Sequence, residues 1–327
     1  MASPEVDRLW RLGELRAATE LSAQLLAATA HPFRDAALDD DLAAAARWHD
    51  HGCRCWQLTR QDEADVALGR AHAIRHERLG RAHPDTLASL ERLAGLAAYR
   101  AEDELAHARW LEVIAASPRD GLGAAIARRN YSTLYRSHGD LREARRLIEQ
   151  ASAHFTRHVA DDDLEYLALR KANAMLAYQE QQYVVALRLV DAAIEHAPLA
   201  PEHPFVAAAR LVAARAHRAL GDRVASGELA AEVVTAFERG YGAHPLLAIA
   251  LSFAARLARE AGELERACAL AGRALAMYRL YYPLPNPSTL AFARQLREIL
   301  VAMGRPDDAY ALDAEIKLAT RIANPAW

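Results

Sequence analysis

Cysteine is scarce. The three residues Cys53, Cys55 and Cys268 form an odd, sparse set that excludes a disulfide framework and fits a reducing compartment. Aromatic residues are also few, at 7% of the chain. No run of alternating β-branched residues occurs, so nothing points to a sheet. No uninterrupted apolar segment approaches the length of a membrane span. The first twenty residues, MASPEVDRLWRLGELRAATE, carry acids and arginines and lack the apolar stretch of a secretory signal. A formal net charge of -3 gives no global pull toward nucleic acid or membranes. Neither a Gly-x-Ser-x-Gly elbow nor a Gly-x-x-x-x-Gly-Lys-Ser/Thr phosphate loop is present. The expectation is a cytoplasmic, non-enzymatic protein with no cofactor and with neither nucleic acid nor membrane as partner.

What is abundant is Ala and Leu, within a hydrophobic content of 52%. Both are strong helix formers, and Ala lets helices approach closely. A marker recurs through the chain: a glycine followed five residues later by a small residue. It reads Gly13 to Ala18, Gly139 to Ala144, Gly221 to Ser226, Gly262 to Ala267 and Gly304 to Ala309. Weaker copies place Asp62, Asp103 and Gln181 where the glycine should be. Glycine takes the left-handed conformation that ends one helix. The acid that often follows suits the positive end of the next helix, and the small residue marks their close crossing. Gln181 turns less cheaply than glycine, so a distorted turn is expected there.

Between these markers lies a second one: His83-Pro84, His203-Pro204, His244-Pro245 and Asn286-Pro287. Proline suits the first turn of a helix and fixes its entry angle. Asp120, Asp161 and Asp35 to Asp41 are expected to start helices at other repeats. The pattern predicts about eight helical hairpins. First helices fall near 4–12, 40–57, 84–101, 120–137, 162–179, 204–220, 245–261 and 287–303. Second helices fall near 14–29, 62–79, 103–116, 140–158, 182–197, 222–239, 263–281 and 305–322. The first unit lacks a full first helix, which predicts a ragged N-terminal edge. The last helix mixes Asp307, Asp308, Asp313, Glu315, Lys317 and Arg321 with apolar residues, as a solvent-facing cap requires.

The stretch from Ala67 to Ala97, with its His83-Pro84-Asp85-Thr86 loop, resembles the tetratricopeptide repeats of the kinesin light chain type, whose units often open with those four residues. The resemblance is specific in residues 67–160 and 203–309 and loose elsewhere. It implies an all-α, right-handed solenoid of about eight helix-turn-helix repeats. The whole of 1–327 would be one superhelical domain, with a degenerate repeat at 1–35 and better-defined ones over 40–322. In such arrays the first helices line an inner groove, and in the kinesin light chain type asparagines there often hold a peptide backbone. Asn130 and Asn173 match that position, whereas Val212, Phe253 and Gln295 stand at its equivalents. Three residues further come Thr133, Leu176, Arg215, Arg256 and Glu298. Another three give Arg136, Gln179, Arg218, Arg259 and Val301. Arg129 and Arg294 adjoin the face. The resemblance thus implies a peptide-binding groove formed by Arg129, Asn130, Arg136, Asn173, Arg215, Arg218, Arg256 and Arg259. The expected function is a protein- or peptide-binding adaptor with a basic groove, holding an acidic segment or a C-terminal carboxylate. The alternative from another class is a peptide-responsive signalling regulator. A metal-dependent enzyme ranks third.

That third reading rests on Trp48-His49-Asp50-His51-Gly52-Cys53-Arg54-Cys55-Trp56. Two His and two Cys are zinc-type ligands. On a helix, however, His49 pairs with Cys53 and His51 with Cys55, on nearly opposite faces. One site for all four would require a break, for which Gly52 is the candidate, so no metal is expected there and a Cys is expected in the core. His72 with His76, and His154 with His158, lack the glutamate of a zinc-protease helix and are expected to be structural. Tyr281 to Pro287 is expected to be a stiff connector.

Overall fold

The computed structural model describes residues 3–29, 42–118 and 121–323. Asp35 to Asp41 and Asp120 lie outside the described residues. Sixteen helices occur in the described residues, and no strand. They pair as α1 (Pro4–Arg11) with α2 (Leu15–Thr29), α3 (Leu42–Gln57) with α4 (Gln61–Leu79), α5 (Pro84–Tyr99) with α6 (Asp103–Ala116), and α7 (Leu122–Ser137) with α8 (Leu141–His158). The pairing continues as α9 (Leu164–Gln179) with α10 (Tyr183–Glu195), α13 (Pro245–Glu260) with α14 (Leu264–Arg279), and α15 (Pro287–Ala302) with α16 (Pro306–Ala323). Between them in the chain come α11 (Pro204–Ala219) and α12 (Arg223–Gly240), where the Ser226 hydroxyl donates to the Ala214 carbonyl at 2.8 Å. This is an all-α solenoid fold of helical hairpins. The connector 280–286 between α14 and α15 is tied down by Tyr281, whose hydroxyl donates to the Ala243 carbonyl at 2.7 Å.

One turn closes every hairpin. Gly13, Thr59, Ala101, Gly139, Gln181, Gly221, Gly262 and Gly304 all have positive φ. At each, that residue's N–H donates to the carbonyl three back, and the next N–H to the carbonyl five back. The left-handed residue thereby satisfies carbonyls that the helix end leaves unpaired. The residue five positions on is always small and at most 4% exposed: Ala18, Ala64, Ala106, Ala144, Ala186, Ser226, Ala267 and Ala309. Two sequence expectations are corrected here. Thr59 and Ala101, rather than Asp62 and Asp103, occupy the left-handed position, while both acids lie in the first turn of the following helix. Gln181, expected to distort its turn, makes the same two bonds as the glycines, at 3.0 and 2.8 Å. It therefore carries its side chain's steric cost without changing the geometry. We predict that Gln181→Gly, at an exposed site, stabilises the protein by about 1 kcal/mol, read as a rise in urea midpoint at unchanged slope. A destabilised variant would refute that account of the turn.

The prolines at 84, 245 and 287 open helices as expected, each just after the capping residue. The residue before them does more than precede them. The Nδ1 atoms of His83, His203 and His244 accept from the N–H two residues on, at 3.1, 3.0 and 3.0 Å. Asn286 accepts from two such groups. Histidine is here a helix cap, which requires Nδ1 unprotonated. Asp163, not Asp161, caps α9 by accepting from Glu165 N at 2.7 Å. Asp161 instead receives Arg170.

The chain falls into two compact units, Met1–Val212 and Ala213–Trp327. In the first, the N-terminal edge is docked rather than ragged. The Trp10 indole donates to Gln57 at 2.8 Å, and Arg54 pairs with Asp7 at 3.1 Å. Trp10 also meets His203 edge-on with ring centroids 4.8 Å apart, and Ala200 N donates to the Arg11 carbonyl at 3.2 Å. Helix α1 thus joins the end of α3 to the turn before α11. In the second unit α16 buries Ala309, Ile316 and Ala319 and leaves its acids outward. Of these, Asp313 meets Arg297 and Lys317, and Glu315 meets Arg279.

Candidate peptide-binding face

Equivalent helices of successive hairpins lie side by side. In Met1–Val212, α3 touches α5, α5 touches α7, and α7 touches α9. The polar side chains of these first helices are largely spent on one another. Arg92 on α5 reaches past α7 to Glu165 on α9, at 2.9 Å, and lies 3.5 Å from Glu91. Arg129 on α7 donates to the Glu165 carboxylate at 2.6 Å and to its backbone carbonyl at 2.9 Å. Asn130 accepts from Arg129 at 3.0 Å and donates to Glu91. Glu91 and Arg129 are each only 3% exposed. Burial pushes the Glu165 carboxyl up, but the charges of Arg129 and Arg92 outweigh this and hold it at about 2. Beside the network is a cavity of about 420 Å³ lined by His49, Glu91, Arg92, Val113, Ile126 and Glu165. Burial, with Arg75 and Arg92 nearby, pushes His49 down to about 3, so its ring is neutral at pH 7.

Other expected groove residues also have partners. Asn173 accepts from Arg145 at 2.7 Å, and Arg136 donates to Gln179 at 3.4 Å. In Ala213–Trp327, Arg218 pairs with Glu260 and Arg259 with Glu298 at 2.7 Å. Arg215 sits over the Phe253 ring, 5.9 Å from its centroid. Gln295 holds Ser252 through both of its amide atoms. Arg256 is exposed, and no carboxylate among the described residues lies within ion-pair distance of it. Sequence placed Glu298 on this face but did not pair the arginines with acids. The pairs could have been found at near-repeat spacing: Arg218 with Glu260, Arg259 with Glu298, Arg129 with Glu165, Arg145 with Glu180 and Arg279 with Glu315 all link neighbouring hairpins.

The residue that sequence reasoning missed is Lys171 on α9, one of two lysines in the chain with Lys317. Its ammonium lies 4.2 Å from the centre of the Phe205 ring. No carboxylate among the described residues pairs with it. Burial, followed by the like charges of Arg129 and Arg136, pushes it down to about 8. It is half-buried and stands near His203, whose ring burial pushes down to about 4, with Lys171 adding to the shift.

The segment from His49 to Cys55 runs through α3 without a break at Gly52. A side chain at Gly52 would strike Leu68 of α4, 2.7 Å from its Cγ, so the glycine serves a close helix crossing. The two His–Cys pairs separate as helical spacing requires. His49 meets Cys53 and Ser89, whereas His51 meets Cys55 and Ser22. Cys55 is fully buried against Ala64 and Leu96, and His51 is buried, its ring facing Ser22 of α2. His72 is tied to the Thr86 carbonyl at 3.3 Å.

No protein-family model and no curated protein matches the chain. Solved structures do. A Rap protein complexed with competence and sporulation factor superposes with a TM-score of 0.60 at 13% identity, over 97% of this chain and 96% of that one. BtubC (BKLC) from P. vanneervenii gives 0.51 at 18% identity, over 74% and 93%. A tetratricopeptide repeat protein from Parabacteroides merdae gives 0.50 at 14%, over 85% and 93%. The chain has the tetratricopeptide-repeat fold. Among its described residues no helix is long and apolar enough to cross a membrane.

Proposed function

We infer that this protein is a non-enzymatic scaffold that binds a protein or peptide segment carrying acidic side chains or a terminal carboxylate, on the first-helix face of Met1–Val212. Lys171 carries the reading. A half-buried ammonium beside like charges, with no acid paired to it among the described residues, is unfavourable until an anion arrives. Arg136 adds to the positive potential there. Asn173, on the same helix, has an amide N–H group that nothing among the described residues accepts from, which suits a ligand carbonyl. Arg256 offers a further cation in its own unit. The Rap structure, an array of this fold held with a named factor, supports a ligand-binding role.

Selection from a random peptide library displayed with free C-termini tests the reading. The wild-type chain should enrich acidic peptides, and their capture should fall with added salt. Enrichment of basic or purely apolar peptides would refute it. So would retention of the same peptides by Lys171→Met.

A further inference from the structure

His51, Cys55 and Glu63 come together although they lie on two helices. His51 and Cys55 are one turn apart on α3, and Glu63 is in the first turn of α4. Their ligating atoms all lie within 4.8 Å of one another. Cys55 Sγ is 3.3 Å from His51 Nε2 and 3.9 Å from a Glu63 oxygen. Zinc–sulfur and zinc–nitrogen bonds of about 2.3 and 2.0–2.1 Å at tetrahedral angles place their ends about 3.6 Å apart. The two observed separations straddle that value, so an ion needs only small side-chain adjustments. The helical-spacing objection to a metal concerned two His–Cys pairs on opposite faces. It does not apply to one pair joined by a carboxylate from the next helix.

The imidazole is also set for coordination. The Ser22 hydroxyl donates its single proton to the Thr19 carbonyl at 2.8 Å. It therefore accepts from His51 Nδ1, 2.8 Å away, so that nitrogen carries the proton. The lone pair is on Nε2, facing Cys55. A hydrogen bond at the far nitrogen is the usual orientation device for a metal-bound histidine. Arg60 lies 3.8 Å from the Glu63 carboxylate, a loose contact that an ion at the site must outweigh.

The geometry points to a binding site for a single zinc-class divalent cation, held by His51 Nε2, Cys55 Sγ and Glu63, with a fourth position left to water or an exogenous ligand. On binding, the Cys55 S–H bond breaks, its proton passes to solvent and a metal–thiolate bond forms, with no change of oxidation state. A soft thiolate and an imidazole favour zinc or cobalt over magnesium or calcium. The ion would fasten α3 to the start of α4, independently of the peptide-binding face.

The test is titration of the metal-stripped full chain with Co²⁺, followed by Zn²⁺. The expected result is one equivalent of Co²⁺ with tetrahedral ligand-field bands and a thiolate-to-cobalt charge-transfer band, both abolished by Zn²⁺. Cys55→Ser should lose the charge-transfer band. Glu63→Gln changes a side chain 57% exposed, leaves the fold intact, and should weaken Zn²⁺ binding about tenfold or more. Ser22→Ala should weaken it about 10–100-fold by releasing the imidazole. Cys53→Ser and His49→Gln should bind as wild type does. Absence of the thiolate band in the wild-type chain overturns the site, as does its loss in Cys53→Ser or full affinity in Glu63→Gln.

Discussion

Lys171→Met is expected to raise stability at pH 7 by about 2 kcal/mol and to weaken binding of acidic peptides about 10–100-fold. The two effects share a cause. Lys171 in the folded chain titrates near 8, below its ordinary 10.5, because burial and then Arg129 and Arg136 disfavour the charge. Folding therefore opposes protonation here. The penalty is complete below about pH 8 and fades as pH rises from 8 toward 10.5, where the unfolded chain also loses the proton. The whole difference corresponds to about 3 kcal/mol, and partial solvent access reduces what is recovered. Met keeps the apolar contact over Phe205 and removes the charge. Urea unfolding at pH 7 and pH 10 should show the stability gap closing at the higher pH. Because Lys317 is the only other lysine, NMR of ¹³C-dimethylated protein can follow the Lys171 titration directly. Equal stability at both pH values together with undiminished binding would remove Lys171 from the site.

Glu165→Gln should do the reverse, costing about 3 kcal/mol. Arg129 is only 3% exposed, so removing its partner leaves a buried, uncompensated cation. Arg92 loses its contact with α9 at the same time. The folded-state value of about 2 lies below the ordinary 4.5. Its contribution is thus fully present above about pH 5 and is lost as pH falls toward 2. Wild-type stability should decline through that window, and Glu165→Gln should flatten the decline. The double variant Arg129→Met, Glu165→Leu should recover much of the loss, since an apolar pair replaces a buried ionic one. If the single variant melts with the wild type, the network does not carry the weight assigned to it.

Much of the fold was legible because its signals are local. Glycine at Gly139, Gly221, Gly262 and Gly304 announces a left-handed turn, and Pro84, Pro245 and Pro287 announce a helix start. Thr59, Ala101 and Gln181 escaped recognition as normal turns because their left-handed backbone is imposed by the packing of Ala64, Ala106 and Ala186, not by preference. The face was less legible. An arginine's availability depends on what stands opposite it in the neighbouring hairpin, about one repeat away: Glu260 does not figure in the sequence pattern, and Glu298, which does, carries no sign there that it meets Arg259. Lys171 passed unnoticed because nothing in its neighbours in sequence foretells burial against Phe205. Glu63 was overlooked for a similar reason: only the crossing at Gly52 brings α4 against the His51 and Cys55 side of α3.

The docking of α1 changes how Met1–Val212 can come apart. In an open array each repeat holds only its neighbours, and the end repeat can peel away alone. Here the first helix is anchored at two places far apart in sequence, at Gln57 and at the Ala200 to His203 turn. Opening the seam at Trp10 and His203 removes support from a late hairpin as well as an early one. Fraying from the N-terminus is thereby coupled to loosening around residue 200. Amide exchange in α1 and at the start of α11 should then share one opening rate, as two ends of a single latch.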